Sequence, residues 1–133
     1  MNKHETLISW EAVCEKENRD PKVLPEVSML PEAEQRYQIA TFKLPHIIKA
    51  INKCFDEEYK VDFSVWSQKK WYPIPVQEED KSQSSGCGLS LHDVCYTRTL
   101  TFVGARFAYC NEEGTRFGFE NFKQLYIDMQ LES

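Results

Sequence analysis

The amino-acid sequence predicts a single α+β domain in which about three to four helices flank a small, mainly antiparallel sheet. Its 133 residues fall within the usual size of one domain, so residues 1–133 are treated as one unit. Apolar residues recur with a helical period toward both ends of the chain, whereas the middle carries short alternating segments separated by turn-forming residues. A composition of 41% apolar and 13% aromatic residues is typical of a chain that folds around its own core.

The first predicted element is a short helix over residues 6–17, followed by an irregular segment. Helical spacing is carried by four apolar residues: Leu7, Trp10, Val13 and Cys14. Residues 18–31 contain three prolines, which interrupt helices and strands, so they are predicted to form an ordered loop. Four apolar side chains are expected to hold this loop against the domain: Leu24, Val27, Met29 and Leu30.

A long apolar stripe predicts helix over residues 32–55, where apolar side chains recur with the period of an α-helix. Pro45 lies inside this stripe. A proline removes one backbone hydrogen bond and collides with the carbonyl one turn earlier, which belongs to Thr41. We therefore predict two nearly collinear helical pieces that meet near Pro45.

The second half of the chain predicts the sheet, beginning with a strand over residues 71–76. Pro73 and Pro75 cannot donate to a strand ladder, so this strand is predicted to lie at an edge. The polar residues 77–86 predict a flexible loop. Further strands are predicted over residues 87–91, 94–102 and 106–110, with the last two joined through Gly104 into a β-hairpin.

The chain is predicted to end in a helix that begins after Asn111, whose side chain can cap it. Glu112 and Glu113 suit the first turn, because the N-terminal end of a helix is electrostatically positive. The apolar side expected to pack on the sheet comprises Phe119, Phe122, Leu125, Tyr126 and Met129.

Charge and cysteine content limit the classes of function. A formal net charge of −5 argues against a protein whose main partner is a phosphate backbone, because that binding uses clustered Lys and Arg. The N-terminal residues carry charges and no long apolar run, which predicts no signal peptide, and no segment predicts a membrane span. The five cysteines are scattered and lack any C-x-x-C pair, so we expect reduced thiols in a cytoplasmic protein.

Two cysteine-centred sites have suitable residue types, but their spacing argues against both. A zinc site could draw on Cys87, His92, Cys95 and Cys110, yet these intervals match no common zinc motif. A nucleophilic site could combine Cys95 with His92 and Asp93, yet neighbours along a strand point to opposite faces. No glycine-rich phosphate loop is present either. We therefore assign no catalytic, cofactor-binding or metal-binding residue and predict a protein that is not an enzyme.

The stretch QKKWYPIPV, residues 68–76, places two lysines beside two aromatic residues and has two interpretations. Exposed aromatics flanked by cations could form a platform on which nucleic-acid bases stack. The candidate contact surface would comprise Trp66, Lys69, Lys70, Tyr72, Arg98 and Arg106. The favoured interpretation is structural: Trp71 packs toward the core of an edge strand, and the two lysines face water.

Six motifs are spread over nearly the whole chain: LPEVSMLPE (24–32), KLPHIIKAIN (43–52), KKWYPIP (69–75), GCGLS (86–90), TFVGARFAY (101–109) and FENFKQLYIDM (119–129). In this order and spacing, the chain resembles a family of short, uncharacterised bacterial proteins associated with prophages and other mobile elements. That family has no assigned activity, so the resemblance implies no site residue and no cofactor. We expect a non-enzymatic accessory or protein-interaction domain with a protein partner. The alternative is a weak single-stranded nucleic-acid-binding module that uses the aromatic and basic strand surface.

Overall fold

The computed structural model describes residues 3–62, 67–83, 86–97 and 105–130. In this part of the chain, four α-helices accompany one two-stranded antiparallel sheet, which confirms the predicted small α+β domain. In chain order the elements are α1 (Trp10–Lys16), α2 (Glu32–Phe55), β1 (Lys70–Glu79), β2 (Cys87–Thr97), α3 (Glu112–Asn121) and α4 (Lys123–Asp128). A first 3₁₀ turn, Lys3–Thr6, precedes α1, and a second, Ala105–Phe107, precedes α3.

Helix α1 begins later than predicted because Ser9 caps it. The Ser9 hydroxyl accepts a hydrogen bond from the Ala12 amide at 3.1 Å, and this satisfies one of the free amides of the first turn. Thr6 belongs instead to the first 3₁₀ turn, where its hydroxyl donates to the Lys3 carbonyl at 2.9 Å. The start of α1 is therefore set by Ser9, whose hydroxyl lies next to the helical amides, and not by Thr6, which comes earlier in the sequence.

The segment between α1 and α2 is irregular, as predicted, but two of its four predicted anchors are exposed. Leu24 is 38% exposed and Met29 is 93% exposed, so these two side chains do not hold it down. The Trp10 indole N–H donates a hydrogen bond to the Pro21 carbonyl at 3.0 Å and ties the segment to α1. Val27 and Leu30 are half-buried, so this bond adds to what remains of the predicted anchor.

Helix α2 runs without interruption through Pro45, so the predicted division into two pieces is wrong. Pro45 has no N–H, and the α-helical hydrogen bond to the Thr41 carbonyl is therefore missing. Leu44 and Ile47, on either side of the proline, are fully buried in the core with several other residues of the same stripe. Each such side chain contributes about 1.5–3 kcal/mol on burial, and together they exceed the cost of about 3 kcal/mol for an interior proline.

Strands β1 and β2 pair from Lys70 opposite Thr97 to Glu79 opposite Cys87, with an irregularity between Ile74 and Pro75. Strand β1 is longer than predicted, so the predicted loop over residues 77–86 begins only at residue 80. The flexibility of that loop stays a prediction. Strand β2 joins the predicted strand 87–91 to the start of the predicted strand 94–102, whose residues 98–102 lie outside the described residues.

The predicted β-hairpin is wrong in its second arm. Residues 105–107 form a 3₁₀ turn instead of a strand, and residue Tyr109 makes an isolated bridge to Trp71. The two backbones exchange hydrogen bonds of 3.0 Å and 2.8 Å. Strand β1 thus has β2 on one side and Tyr109 on the other, a pairing between residues 38 positions apart that local turn signals do not encode.

Asn111 caps α3 as predicted, because its side-chain oxygen accepts a hydrogen bond from the Gly114 amide at 2.7 Å. The predicted single C-terminal helix is divided at Phe122, whose backbone leaves the helical conformation. The division lets Phe122 join the main core around α1 and α2 while Phe119 joins a smaller cluster with Leu89 and Ile127.

Candidate functional site

A cleft of about 540 Å³ opens between the middle of α2, residues 59–61 and the second 3₁₀ turn. This volume lies in the range of sites that bind small molecules or short segments of a partner. The α2 residues of its lining recur at intervals of three and four, which places them on one side of the helix. The cleft therefore lies along the border between the buried side of α2, which contributes Ile48 and Asn52, and its exposed side, which contributes Lys49.

The floor of the cleft is apolar. It is lined by Phe42, Pro45, Ile48, Val61 and Ala108. Phe42, Pro45 and Val61 keep part of their surface exposed, and covering that surface gains about 25 cal/mol for each Å² removed from water. The floor can therefore supply affinity for an apolar group.

Asn52 fixes the wall opposite α2. It is buried, and its side-chain N–H₂ donates to the Ala108 carbonyl at 3.1 Å. Its side-chain oxygen accepts a hydrogen bond from the Cys110 amide at 2.9 Å. Because both ends of one side chain are used, residues 108–110 are held in register with α2 and the cleft keeps its shape.

The charged residues of the cleft are all basic. Lys49, Lys60 and Arg106 are exposed around it, and His46 lies half-buried among them. No Asp or Glu belongs to the lining. In the described part of the chain, no carboxylate lies within ion-pair distance of Lys49, Lys60 or Arg106. A protein with a net charge of −5 thus carries a local positive site.

His46 and Tyr59 are both neutral at physiological pH. Burial is the main cause that lowers the pKa of His46, and the positive charges of Arg19 and Lys49 lower it further. Burial also raises the pKa of Tyr59 to about 12, so the phenol keeps its proton. The Tyr59 hydroxyl is buried without a hydrogen-bond partner among the described residues. The permanent charge of the cleft therefore comes from two lysines and one arginine.

The six residues predicted as a contact surface do not behave alike. Lys69 is exposed, and its ammonium group lies 4.4 Å from the ring centroid of Tyr96. Lys70 is 0% exposed, so the prediction that it faces water is wrong. Tyr72 is half-buried beside Cys95 on β2.

Arg106 lies in the lining of the cleft and not on the strand surface for which it is predicted. Of the predicted contact residues that the structure describes, it alone lines the cleft. Trp66 and Arg98 lie outside the described residues. The prediction that Trp71 packs toward the core is confirmed, because its half-buried ring contacts the main core cluster.

The cysteine-centred candidates are separated or already engaged. Cys87 and Cys95 lie eight residues apart on β2, about 25 Å along an extended strand. Within residues 3–62, 67–83, 86–97 and 105–130, no three His, Cys, Asp or Glu side chains come together as metal ligands. The Asp93 carboxylate lies 3.4 Å from the Arg116 guanidinium and also accepts a hydrogen bond from the Val94 amide.

Among the described residues, no disulfide joins the five cysteines. Burial raises the pKa of Cys110 to about 11, and burial also raises the pKa values of Cys14 and Cys54. A thiol with a raised pKa is a poor nucleophile at neutral pH, because the thiolate is the reactive form.

Sequence reasoning missed most of the cleft. His46 and Lys49 share the α2 flank at a spacing of three, and this local pattern could have suggested a basic helix face. Lys60 and Arg106 carry no such signal, because only the folded chain brings residues 59–61 and 106–108 against α2.

Comparison of the chain with protein-family models, curated protein sequences and solved structures gives no match. The resemblance to prophage-associated proteins therefore stays an expectation. No described helix is both long and apolar enough to cross a membrane.

Proposed function

We propose that this protein is a non-enzymatic interaction domain whose cleft binds a short acidic and apolar segment of a partner protein. The observation that supports this most strongly is the rim of Lys49, Lys60 and Arg106 over an apolar floor, with no carboxylate in the lining. Following the resemblance, we place this interaction in the accessory functions of a prophage or mobile element.

The rim and the floor have different tasks in such a complex. Carboxylates of the partner would lie near the three cations, where opposite charges speed association and select against basic partners. An apolar side chain between them would cover the exposed parts of Phe42, Pro45 and Val61 and supply most of the affinity. A neutral or basic segment would meet the same floor without the electrostatic gain.

Single-stranded nucleic acid is the second candidate, and charge favours it less. Affinity for a phosphate backbone grows with the number of cations that replace counterions, and the cleft offers three permanent ones. The predicted strand surface adds little, because Lys70 is buried and Lys69 already lies over Tyr96. The net charge of −5 opposes a long phosphate chain further.

A display library of random heptapeptides tests the proposal directly. We expect enrichment of peptides that combine Asp or Glu with a large apolar residue. Lys49→Glu or Arg106→Glu should abolish this enrichment by reversing the charge of the rim. Lys81→Glu is the matched control, because the Lys81 side chain is 90% exposed and does not belong to the cleft lining.

Two results would contradict the proposal. One is enrichment of the same peptides by the Arg106→Glu variant, which would show that they bind outside the cleft. The other is a labelled oligothymidine that binds more tightly than the enriched peptides, with affinity falling steeply with salt, which would favour the nucleic-acid alternative.

A further inference from the structure

We propose that an acidic segment entering the cleft draws a proton onto His46, so that the protein holds this segment more tightly under mildly acidic conditions. This inference rests on the proposed function of the cleft. It adds a regulatory variable, pH, and names the side chain that senses it.

His46 is the one histidine in the cleft lining, and it lies on the α2 wall. Its ring lines the cleft on one side. Its ring centroid lies 5.2 Å from that of Phe42, which also lines the cleft, and 6.3 Å from that of Trp10, which belongs to α1. The imidazole thus packs against two aromatic rings at the edge of the space that the ligand would occupy.

The charges that face His46 come from every element around it, and most are positive. Helix α2 contributes Lys49, the second 3₁₀ turn contributes Arg106, and the segment after α1 contributes Arg19. Residues 59–61 add Lys60 to the same cleft. The negative charge of Glu17 at the end of α1 opposes them, and Glu17 lies 3.6 Å from the Lys53 ammonium.

An empty cleft therefore disfavours a charged imidazole, and an anion in the cleft reverses that preference. Burial and the surrounding cations keep the pKa of His46 below its ordinary value in the free protein. A carboxylate placed among those cations adds the opposite charge and raises the pKa of His46 in the complex. Because the complex then binds one proton more than the free protein, affinity must rise as pH falls between these two pKa values.

The size and the pH limits of this change in affinity follow from the uptake of one proton on binding. Affinity can change by up to about tenfold per pH unit inside the window and becomes constant outside it. The window begins above the lowered pKa of free His46. The carboxylates of the ligand are ionised over the pH range of the assay below, because glutamate titrates at about pH 4.3.

The first experiment measures binding of a fluorescein-labelled hexapeptide, a leucine and a phenylalanine flanked on each side by two glutamates, by anisotropy at pH values between 5.5 and 8. Wild-type protein should bind it more tightly as pH falls through the window and with constant affinity above the window. His46→Gln should bind with an affinity independent of pH. His92→Gln is the matched control, because His92 is exposed on β2, and it should keep the wild-type pH dependence.

The second experiment follows the ring signals of His46 and His92 by NMR. Saturating hexapeptide should move the titration midpoint of His46 to higher pH, and the ring signals of His92, which lies outside the cleft lining, serve as the internal reference. A merely structural role of His46 would not produce this shift.

The possible outcomes separate the two proposals. Equal affinity at all pH values in wild type, or a pH dependence that persists in His46→Gln, overturns the proton coupling while the cleft remains a binding site. Absence of hexapeptide binding at every pH overturns the coupling and counts against the acidic ligand as well.

Discussion

The start of strand β1 and the cleft on α2 both combine basic and aromatic residues, yet they use them differently. At β1 the basic side chains serve the fold, because Lys70 is fully buried and Lys69 lies over the ring of Tyr96. At the cleft, Lys49 and Arg106 stay exposed beside an apolar floor. Basic residues next to aromatics therefore do not by themselves mark a binding surface, and their burial decides between the two roles.

The largest expected effect concerns Trp71, which belongs to the structural region. Trp71→Ala should lower the free energy of unfolding by about 3 kcal/mol, because its ring contacts the core and leaves a cavity when removed. Tyr96→Ala is the control and should cost about 1 kcal/mol, since Tyr96 is 45% exposed. Urea unfolding measures both. A stable Trp71→Ala protein would show that this strand is not part of the core.

Two adjacent lysines at the start of β1, Lys69 and Lys70, are expected to contribute very differently to stability. Lys70→Ala should cost about 2 kcal/mol or more, because a buried long side chain leaves a cavity. Lys69→Ala, by contrast, should change the free energy of unfolding by less than about 0.5 kcal/mol. The same is expected of Arg106→Ala at the cleft. Equal stabilities of the two lysine variants in urea unfolding would refute the burial of Lys70.

A third prediction tests whether the cleft wall depends on Asn52. Asn52→Ala leaves the Ala108 carbonyl and the Cys110 amide without their partner, which should cost about 2 kcal/mol. Asn121→Ala removes an exposed side-chain hydrogen bond to the Phe117 carbonyl and should change stability by less than about 0.5 kcal/mol. Thermal melts of the two variants measure this difference. Equal melting temperatures would contradict the role of Asn52 in holding residues 108–110 against α2.

These variants also show how far the sequence could predict the molecule. The bounds of α2 and the Asn111 cap depend on local spacing and side-chain chemistry, and both were predictable. The pairing of Trp71 with Tyr109 joins distant parts of the chain, and local turn residues favoured a hairpin instead. The burial of Lys70 has the same origin, because the side chains that cover a strand come from other elements.

The cleft was predictable only in part for the same physical reason. His46 and Lys49 are neighbours on one helix, so their proximity is encoded locally. Arg106 was identified as a contact residue, but it was assigned to the strand surface because residues 106–110 were expected to form a strand. Its position beside α2 follows from the 3₁₀ turn that replaces that strand.

The smallest expected effect is a pH dependence of stability in the ligand-free protein. The pKa of His46 is lowered in the folded state, so the unfolded chain binds more protons in the window between the folded and unfolded values. Stability should therefore be full above the ordinary histidine pKa and should decrease as pH falls through that value. Urea unfolding of wild type and His46→Gln between pH 5 and 8 checks this. An identical pH dependence in the variant would contradict it.

The central claim is that the cleft, and not the start of β1, binds the acidic partner. The most direct measurement compares Arg106→Glu with Lys69→Glu in the anisotropy assay with the glutamate-flanked hexapeptide at pH 6. Both substitutions reverse one exposed charge, so the global charge of the two variants is the same. The cleft predicts a loss of about tenfold or more in affinity for Arg106→Glu and a change of less than about twofold for Lys69→Glu. A larger loss of affinity in Lys69→Glu than in Arg106→Glu would contradict the claim and indicate that the start of β1 binds the partner.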